Sequence, residues 1–166
     1  DVLLVTGPVG LPTPAGVRRV DVESADDMLA AVTREIAGVD IYISTAAVAD
    51  YRPARPAGQK IKKSEAALDL ALERTTDVLS TVAARPDRPF VVGFAAETEA
   101  VEQNARAKLL RKNLDLIAAN EVGDDKVFDK DDNALVVLSR TDRTALGPAS
   151  KAQLARELMA LVTERF

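Results

Sequence analysis

A small-residue segment that ends in an acid, followed by a cluster of lysines, is the first indication of chemistry in this sequence. Asp50 closes the run Thr45-Ala-Ala-Val-Ala, and Lys60, Lys62 and Lys63 come after a Pro-rich loop. A carboxylate accepts hydrogen bonds from a base or a ribose, and lysine is a frequent point-charge partner for phosphate. The small side chains leave room for a planar or extended ligand. We therefore predict a site for a charged, phosphorylated small molecule here.

Both features also have ordinary structural explanations, which the residues alone leave open. An aspartate before Tyr-Arg-Pro is typical of a turn. Lysines on an exposed edge strand protect that edge against aggregation. In a strand, Lys60 and Lys62 would share one face, where their repulsion is relieved when an anion binds.

A second basic pair is expected on one helix. Lys108 and Lys112 are four residues apart, with Arg106 and Arg111 nearby. Like charges at this spacing repel by a few tenths of a kcal/mol, which a bound triphosphate would offset. Lysines in the last turns of a helix also interact favourably with its dipole, so the pair has a structural explanation too.

Two further positions lie where α/β proteins commonly bind ligands. The segment from Thr75 to Leu79 begins a helix and offers N–H groups to an anion or to the edge of a base, although ordinary capping explains the same residues. Phe94 ends an apolar strand and could stack on a base or ribose, while a core position is the usual role of phenylalanine. We predict Asp50, Thr76 and Phe94 on the same edge of a sheet.

Composition excludes several function classes. The 166 residues are 47% hydrophobic and include neither cysteine nor histidine. Disulfides, thiolate metal sites and Ser-His, Cys-His or zinc mechanisms are therefore excluded. The net charge of −4 argues against broad binding of nucleic acid. No run reaches the length of a membrane helix, so we expect a cytoplasmic protein without membrane partners.

Alternation of strands and helices predicts a doubly wound (Rossmann-like), mostly parallel sheet. The strand–helix–strand order of residues 17–45 predicts a parallel pair between 17–22 and 40–45. Residues 60–63 and 68–72 are expected to form a protruding β arm. The remaining predicted elements are a strand at 1–6, helices at 24–37, 75–84, 97–112 and 151–166, and strands at 90–94, 114–118, 133–138 and 143–146.

Four segments together resemble the phosphopantothenate–cysteine ligase (phosphopantothenoylcysteine synthetase) family, usually the C-terminal half of a bifunctional bacterial protein of coenzyme A biosynthesis. They are 46–52 (AAVADYR), 60–63 (KIKK), 92–98 (VGFAAET) and 108–120 (KLLRKNLDLIAAN). They occur in the family's order and cover most of the chain. The combination is therefore more specific than any one motif.

The resemblance implies ligation of 4′-phosphopantothenate to cysteine, driven by CTP and passing through an acyl-cytidylate. It implies Mg2+ with the triphosphate, a homodimer through the arm at 60–72, and possible FMN in a fused upstream decarboxylase domain that could enlarge the oligomer. Lys60 is the implied catalytic residue. The implied CTP-binding residues are Ala46, Asp50, Lys60, Thr76, Asp77, Val78, Leu79, Phe94, Lys108 and Lys112.

Members of this family begin with a further strand, a glycine-rich turn and a helix, so residues 1–166 are expected to be one ligase domain without that segment. Two other functions stay open. A Rossmann-type NAD(P)-dependent oxidoreductase suits the predicted fold, although no G-x-G-x-x-G follows any predicted strand. A nucleotide-binding dimerisation module would use the same arm without catalysis.

Overall fold

The computed structural model describes residues 1–62, 69–121 and 132–166. The strands are β1 (Val2–Thr6), β2 (Val17–Asp21), β3 (Ile41–Ser44), β4 (Tyr51–Pro53), β5 (Leu72–Arg74), β6 (Phe90–Glu97), β7 (Leu116–Glu121), β8 (Asp132–Leu138) and β9 (Arg143–Ser150). The helices are α1 (Ala25–Glu35), α2 (Val78–Ala83), α3 (Val101–Arg111) and α4 (Lys151–Arg165). The chain divides into two compact units, residues 1–34 with 46–78 and residues 35–45 with 79–166. The assignment of the whole chain to one ligase domain stays a prediction.

In the first unit, β1 and β2 form a parallel pair, and α1 begins immediately after it. The Asp27 N–H donates to Ser24 Oγ at 3.1 Å, and the Ser24 N–H donates to Asp27 Oδ2 at 3.0 Å. This reciprocal capping satisfies N–H groups that have no partner inside the helix. The Ser24 hydroxyl also donates to the carboxylate, and these bonds hold the pKa of Asp27 below its usual range.

An antiparallel pair, β4 with β5, forms the second small sheet of this unit. Arg52 on β4 forms ion pairs with Asp26 of α1 and with Glu73 of β5, the latter at 2.8 Å. Arg74 lies over the Tyr51 ring, 5.9 Å from its centroid. These contacts attach the β4–β5 pair to the start of α1.

The strand pairing predicted for the arm is wrong at Leu72, the last residue of its second predicted strand. The sequence pattern paired 60–63 with 68–72, whereas the observed partner of Leu72–Arg74 is Tyr51–Pro53. Residues 60–62 have no regular secondary structure, and residues 63–68 lie outside the described ranges. The strand Tyr51–Pro53 was not predicted because it runs into the Pro-rich residues 53–56, a composition typical of loops. Proline is nevertheless tolerated at an edge-strand position that needs no N–H donor.

The second unit contains a five-stranded sheet in the order β3-β6-β7-β8-β9. β3, β6 and β7 are parallel, and β8 and β9 are antiparallel additions. The parallel pair expected between 17–22 and 40–45 is wrong, since β2 pairs with β1 and β3 pairs with β6. A crossover predicts the orientation of two strands, but other strands can occupy the neighbouring positions.

Helix α4 covers one face of this sheet. Its Leu154, Leu158 and Val162 pack with alternate residues of β6, β7 and β8, and Phe94 is partly buried against the same cluster. Gly93 faces the other side, where a Cβ atom would lie 2.8 Å from Leu114 Cδ1. The sheet therefore has a packed layer on each face, as the alternation of side chains along a strand requires.

Arg88 and Asp115 fasten the amino ends of β6 and β7. Arg88 donates to both Asp115 oxygens, at 2.6 and 2.8 Å, and the Val91 N–H donates to Oδ2 at 2.7 Å. This bidentate pair raises the pKa of Arg88. In the described part of the chain, no helix is long and apolar enough to cross a membrane.

Candidate functional site

The candidate residues fall into two groups, one in each unit. In the first unit, Asp50 directly precedes β4 and Thr76 follows β5 by two residues. The Thr75 N–H donates to the Asp50 carbonyl at 3.0 Å, and Thr75 Oγ1 donates to the Ala49 carbonyl at 2.6 Å. The structure thus brings together the two segments that the sequence proposed as nucleotide contacts in this unit.

Asp50, Thr76 and Asp77 are exposed, whereas Val78 and Leu79 are buried, with 4% and 7% of their surface accessible. The Leu79 side chain packs toward Gly93, where a Cβ would lie 3.1 Å from Leu79 Cδ2. Val78 and Leu79 can therefore meet a ligand only through their backbone N–H groups. Their side chains hold the start of α2 in place.

Lys60 and Ala46 are both exposed. Strand β3 ends at Ser44, two residues before Ala46. Ser44 is paired with Gly93 of the parallel strand β6. The carboxyl ends of β3 and β6 consequently share one edge of the sheet. Lys60 lies in the long connection between β4 and β5, and its grouping with Asp50 stays a prediction.

The second group is built on β6 and α3. Lys108 Nζ donates to the Phe94 carbonyl at 2.9 Å, so these two predicted site residues are neighbours. Phe94 does not end its strand as predicted, since β6 continues to Glu97. Lys112 lies one turn further on, and its N–H donates to the Lys108 carbonyl at 3.0 Å. Lys112 is the C-cap residue of α3, so the two lysines lie one turn apart at the end of this helix. Phe94 also has a core role, because its ring packs against the α4 cluster.

Contacts at the start of α3 position this helix, which begins at Val101 rather than at the predicted residue 97 because β6 continues to Glu97. Asn104 Nδ2 donates to the Glu99 carbonyl at 3.0 Å. Arg143 of β9 donates to Glu102 at 2.6 and 2.8 Å, and this bond lowers the pKa of Glu102. The helix that carries Lys108 and Lys112 is therefore tied to the sheet at its first turn.

Thr75 is the contact residue that sequence reasoning missed. The sequence grouped Thr75 with the helix-start N–H groups that could meet an anion or a base, and capping explained its hydroxyl. Its actual partners, Ala49 and Asp50, are about 25 positions earlier in the chain. The available signal was that Thr75 opens the candidate helix-start segment and directly precedes the predicted site residue Thr76.

The mixed, mostly parallel sheet with its crossover helices defines a Rossmann-like α/β protein, with candidate ligand contacts at strand ends and helix starts. The family model described as "DNA/pantothenate metabolism flavoprotein C-terminal domain" matches residues 1–166. The chain belongs to this family.

Named relatives agree with this assignment. The coenzyme A biosynthesis bifunctional protein CoaBC of Vibrio cholerae is 48% identical over 100% of this chain and 43% of its own length. Its Escherichia coli counterpart is 44% identical over 100% of this chain and 42% of its own length. A crystal structure of the C-terminal domain of CoaBC is 37% identical, with a TM-score of 0.80 over 97% of this chain and 72% of that domain. The chain thus spans about two fifths of the curated relatives' length.

Proposed function

We propose that this chain is a phosphopantothenate–cysteine ligase domain of coenzyme A biosynthesis, which uses CTP to join 4′-phosphopantothenate and L-cysteine. The observation that carries the proposal is the 48% identity along the whole chain to a coenzyme A biosynthesis bifunctional protein. The contacts between Thr75 and Asp50, and between Lys108 and Phe94, support it, because they bring proposed nucleotide contacts together within each unit.

In the first step, a carboxylate oxygen of 4′-phosphopantothenate attacks the α-phosphorus of CTP. The bond from this phosphorus to the β-phosphate oxygen breaks, and pyrophosphate leaves with the bonding electrons. The product is an acyl-cytidylate. Negative charge accumulates on the phosphate oxygens, where Lys60, Lys108 and Lys112 would neutralise it. Positioning and electrostatics are sufficient for this step, which needs no histidine or cysteine side chain from the enzyme.

In the second step, the cysteine amine attacks the acyl carbon. The carbon–oxygen bond to the cytidylate breaks, CMP leaves, and the nitrogen loses a proton as the amide forms. Asp50 and the N–H groups from Thr76 to Leu79 are proposed to bind the sugar and base and so to retain the nucleotide during both steps. Ala46 is proposed to admit the ligand because its side chain is small.

Magnesium is proposed to accompany the triphosphate. Across residues 1–62, 69–121 and 132–166, no group of three or more acidic side chains is placed to hold a metal ion. Mg2+ is usually held by one or two carboxylates together with substrate phosphates, so this role does not require a large acidic cluster. When bound, the ion neutralises phosphate charge. FMN is proposed only for an upstream decarboxylase domain, outside this chain.

A homodimer through residues 60–72 is part of the proposal. Ile61, Leu70 and Leu72 in this segment expose 57%, 57% and 55% of their surface, and Tyr51 on the paired strand exposes 50%. Large apolar side chains that remain exposed near one another in the sequence favour a protein interface. Leu70→Glu and Leu72→Glu should lower the oligomer mass in sedimentation, whereas Leu11→Glu, at a 74% exposed position outside the arm, should not.

The direct test is pyrophosphate release by the full-length protein with CTP, 4′-phosphopantothenate and cysteine. A ligase requires the acid and the nucleotide for pyrophosphate release, and it requires cysteine for CMP release. Nucleotide binding without turnover would instead identify a binding module. Oxidation of a nicotinamide cofactor with indifference to CTP would identify an oxidoreductase, and either result would overturn the proposed ligase.

A further inference from the structure

Thr75 makes two hydrogen bonds to consecutive residues of the segment that contains Asp50. Its N–H donates to the Asp50 carbonyl at 3.0 Å, and its hydroxyl donates to the Ala49 carbonyl at 2.6 Å. The first bond continues the β4–β5 ladder, in which Tyr51 is paired with Arg74 at this end. The second bond extends beyond the ladder and depends on the side chain alone.

The hydroxyl bond determines more than the direction of one carbonyl. A peptide bond is planar, so holding the Ala49 carbonyl also holds the Asp50 N–H and the Asp50 Cα, from which the side chain extends. Thr75 is in turn joined by its own peptide to Thr76. One half-buried side chain therefore connects the peptide before Asp50 to the peptide before Thr76.

Threonine suits this role better than serine or valine. Branching at Cβ restricts χ1, so the hydroxyl is held near one direction before any ligand binds. Serine keeps the donor with more rotational freedom. Valine keeps the shape and the strand preference but loses the donor. The three residues therefore separate the hydrogen bond from the packing of the side chain.

We propose that Thr75 is a positioning residue for the nucleotide: its hydroxyl holds the Ala49–Asp50 peptide, so that Asp50 and Thr76 are arranged for binding before the nucleotide arrives. This inference rests on the proposed function and adds a residue to it. Thr75 acts through Asp50 rather than on the reacting atoms. Binding to a prearranged site avoids part of the ordering cost.

The test compares Thr75→Val and Thr75→Ser in the full-length protein, with pyrophosphate release measured as CTP is varied at saturating acid and cysteine. Thr163→Val is the matched control, because Thr163 Oγ1 also donates to a backbone carbonyl, that of Met159, at 2.8 Å within α4. Thr75→Val should raise the KM for CTP about 3- to 10-fold, the usual effect of losing one hydrogen bond. Thr75→Ser and Thr163→Val should stay within about twofold of wild type.

KM does not depend on the amount of folded enzyme, so partial unfolding of Thr75→Val would lower the apparent kcat without imitating the expected result. A wild-type KM in Thr75→Val would overturn the inference while leaving the ligase proposal intact. An equal rise in Thr75→Ser would also overturn it, since the donor is then irrelevant. Wild-type protein without CTP-dependent turnover would overturn the proposed function and this inference together.

Discussion

Lys108 Nζ donates to the carbonyl oxygen of Phe94 at 2.9 Å, which joins the third turn of α3 to the carboxyl half of β6. An ammonium group has three N–H donors, so a bond to this carbonyl and a bond to a phosphate are chemically compatible. The carbonyl bond also limits the movement of a long side chain. Lys108 is consequently held beside the carboxyl half of β6, three residues before this strand ends at Glu97. The carboxyl ends of parallel strands are where α/β proteins bind their ligands.

Lys108→Ala should raise the KM for CTP by about 10- to 100-fold, because hydrogen bonds to charged groups are stronger than neutral ones. Lys151→Ala, at the exposed first residue of α4, is the control and should leave the KM unchanged. Thermal unfolding of both variants shows whether the fold is retained. A normal KM in a folded Lys108→Ala protein would remove Lys108 from the proposed site.

Lys60→Ala should slow the first chemical step, by about 100-fold if Lys60 stabilises charge on the α-phosphate. Omitting cysteine isolates this step, so the measurement is the rate of the first pyrophosphate burst with CTP and 4′-phosphopantothenate. The neighbouring exposed Lys62→Ala is the matched control. Equal burst rates in the two variants would show that general positive charge, rather than Lys60, supports the reaction.

Gly93→Ala should destabilise the second unit by about 1–3 kcal/mol, since an added methyl overpacks a filled core. Its Cβ would lie 2.8 Å from Leu114 Cδ1 and 3.1 Å from Leu79 Cδ2. Urea unfolding measures the loss, and adding Leu114→Val should recover part of it. Gly58→Ala meets no atom within 4 Å and should have little effect. Equal stability of the two alanine variants would contradict the close packing at Gly93.

Asp27 should make stability depend on pH in the acid range. Its pKa lies below the ordinary value of 3.8, because Ser24 donates to its carboxylate. The contribution is therefore fully present above the unfolded pKa and is lost as the pH falls through the folded pKa. The stability difference between wild type and Asp27→Asn should be larger near pH 7 than near pH 3, measured by urea unfolding at about these values.

Ser24→Ala tests the cause of this dependence, since it removes the hydroxyl that donates to Asp27 Oδ2 at 2.7 Å. Its stability relative to wild type should follow the same trend with pH as Asp27→Asn. A stability difference for Asp27→Asn that does not change between the two pH values would contradict the capping contribution.

Local features of the chain were predictable. A helix was predicted at 24–37, and α1 begins at Ala25, directly after Ser24, whose hydroxyl accepts from the Asp27 N–H. The spacing of Lys108 and Lys112 predicted a helical turn between them, and the Lys112 N–H donates to the Lys108 carbonyl. These features depend on residues within one or two helical turns, so their pattern is present in a short window of sequence.

Strand partners were less predictable. The arm strand Leu72–Arg74 pairs with Tyr51–Pro53, and β2 pairs with β1 rather than with β3. Alternation and composition indicate that a segment is a strand, but any strand offers the same backbone donors and acceptors to several neighbours. The partner is selected by packing of the whole sheet.

The amino-acid sequence alone showed that residues 1–166 contain neither histidine nor cysteine, and it predicted the α/β class and most elements. It also carried a family resemblance that the family model and its relatives confirmed. Only the tertiary structure brought Thr75 to Ala49 and Asp50, and Lys108 to Phe94. Residue type and local spacing are properties of short segments. A hydrogen bond between distant segments forms only when the intervening chain has folded. Its donor therefore cannot be identified from composition or from the periodicity of hydrophobic residues.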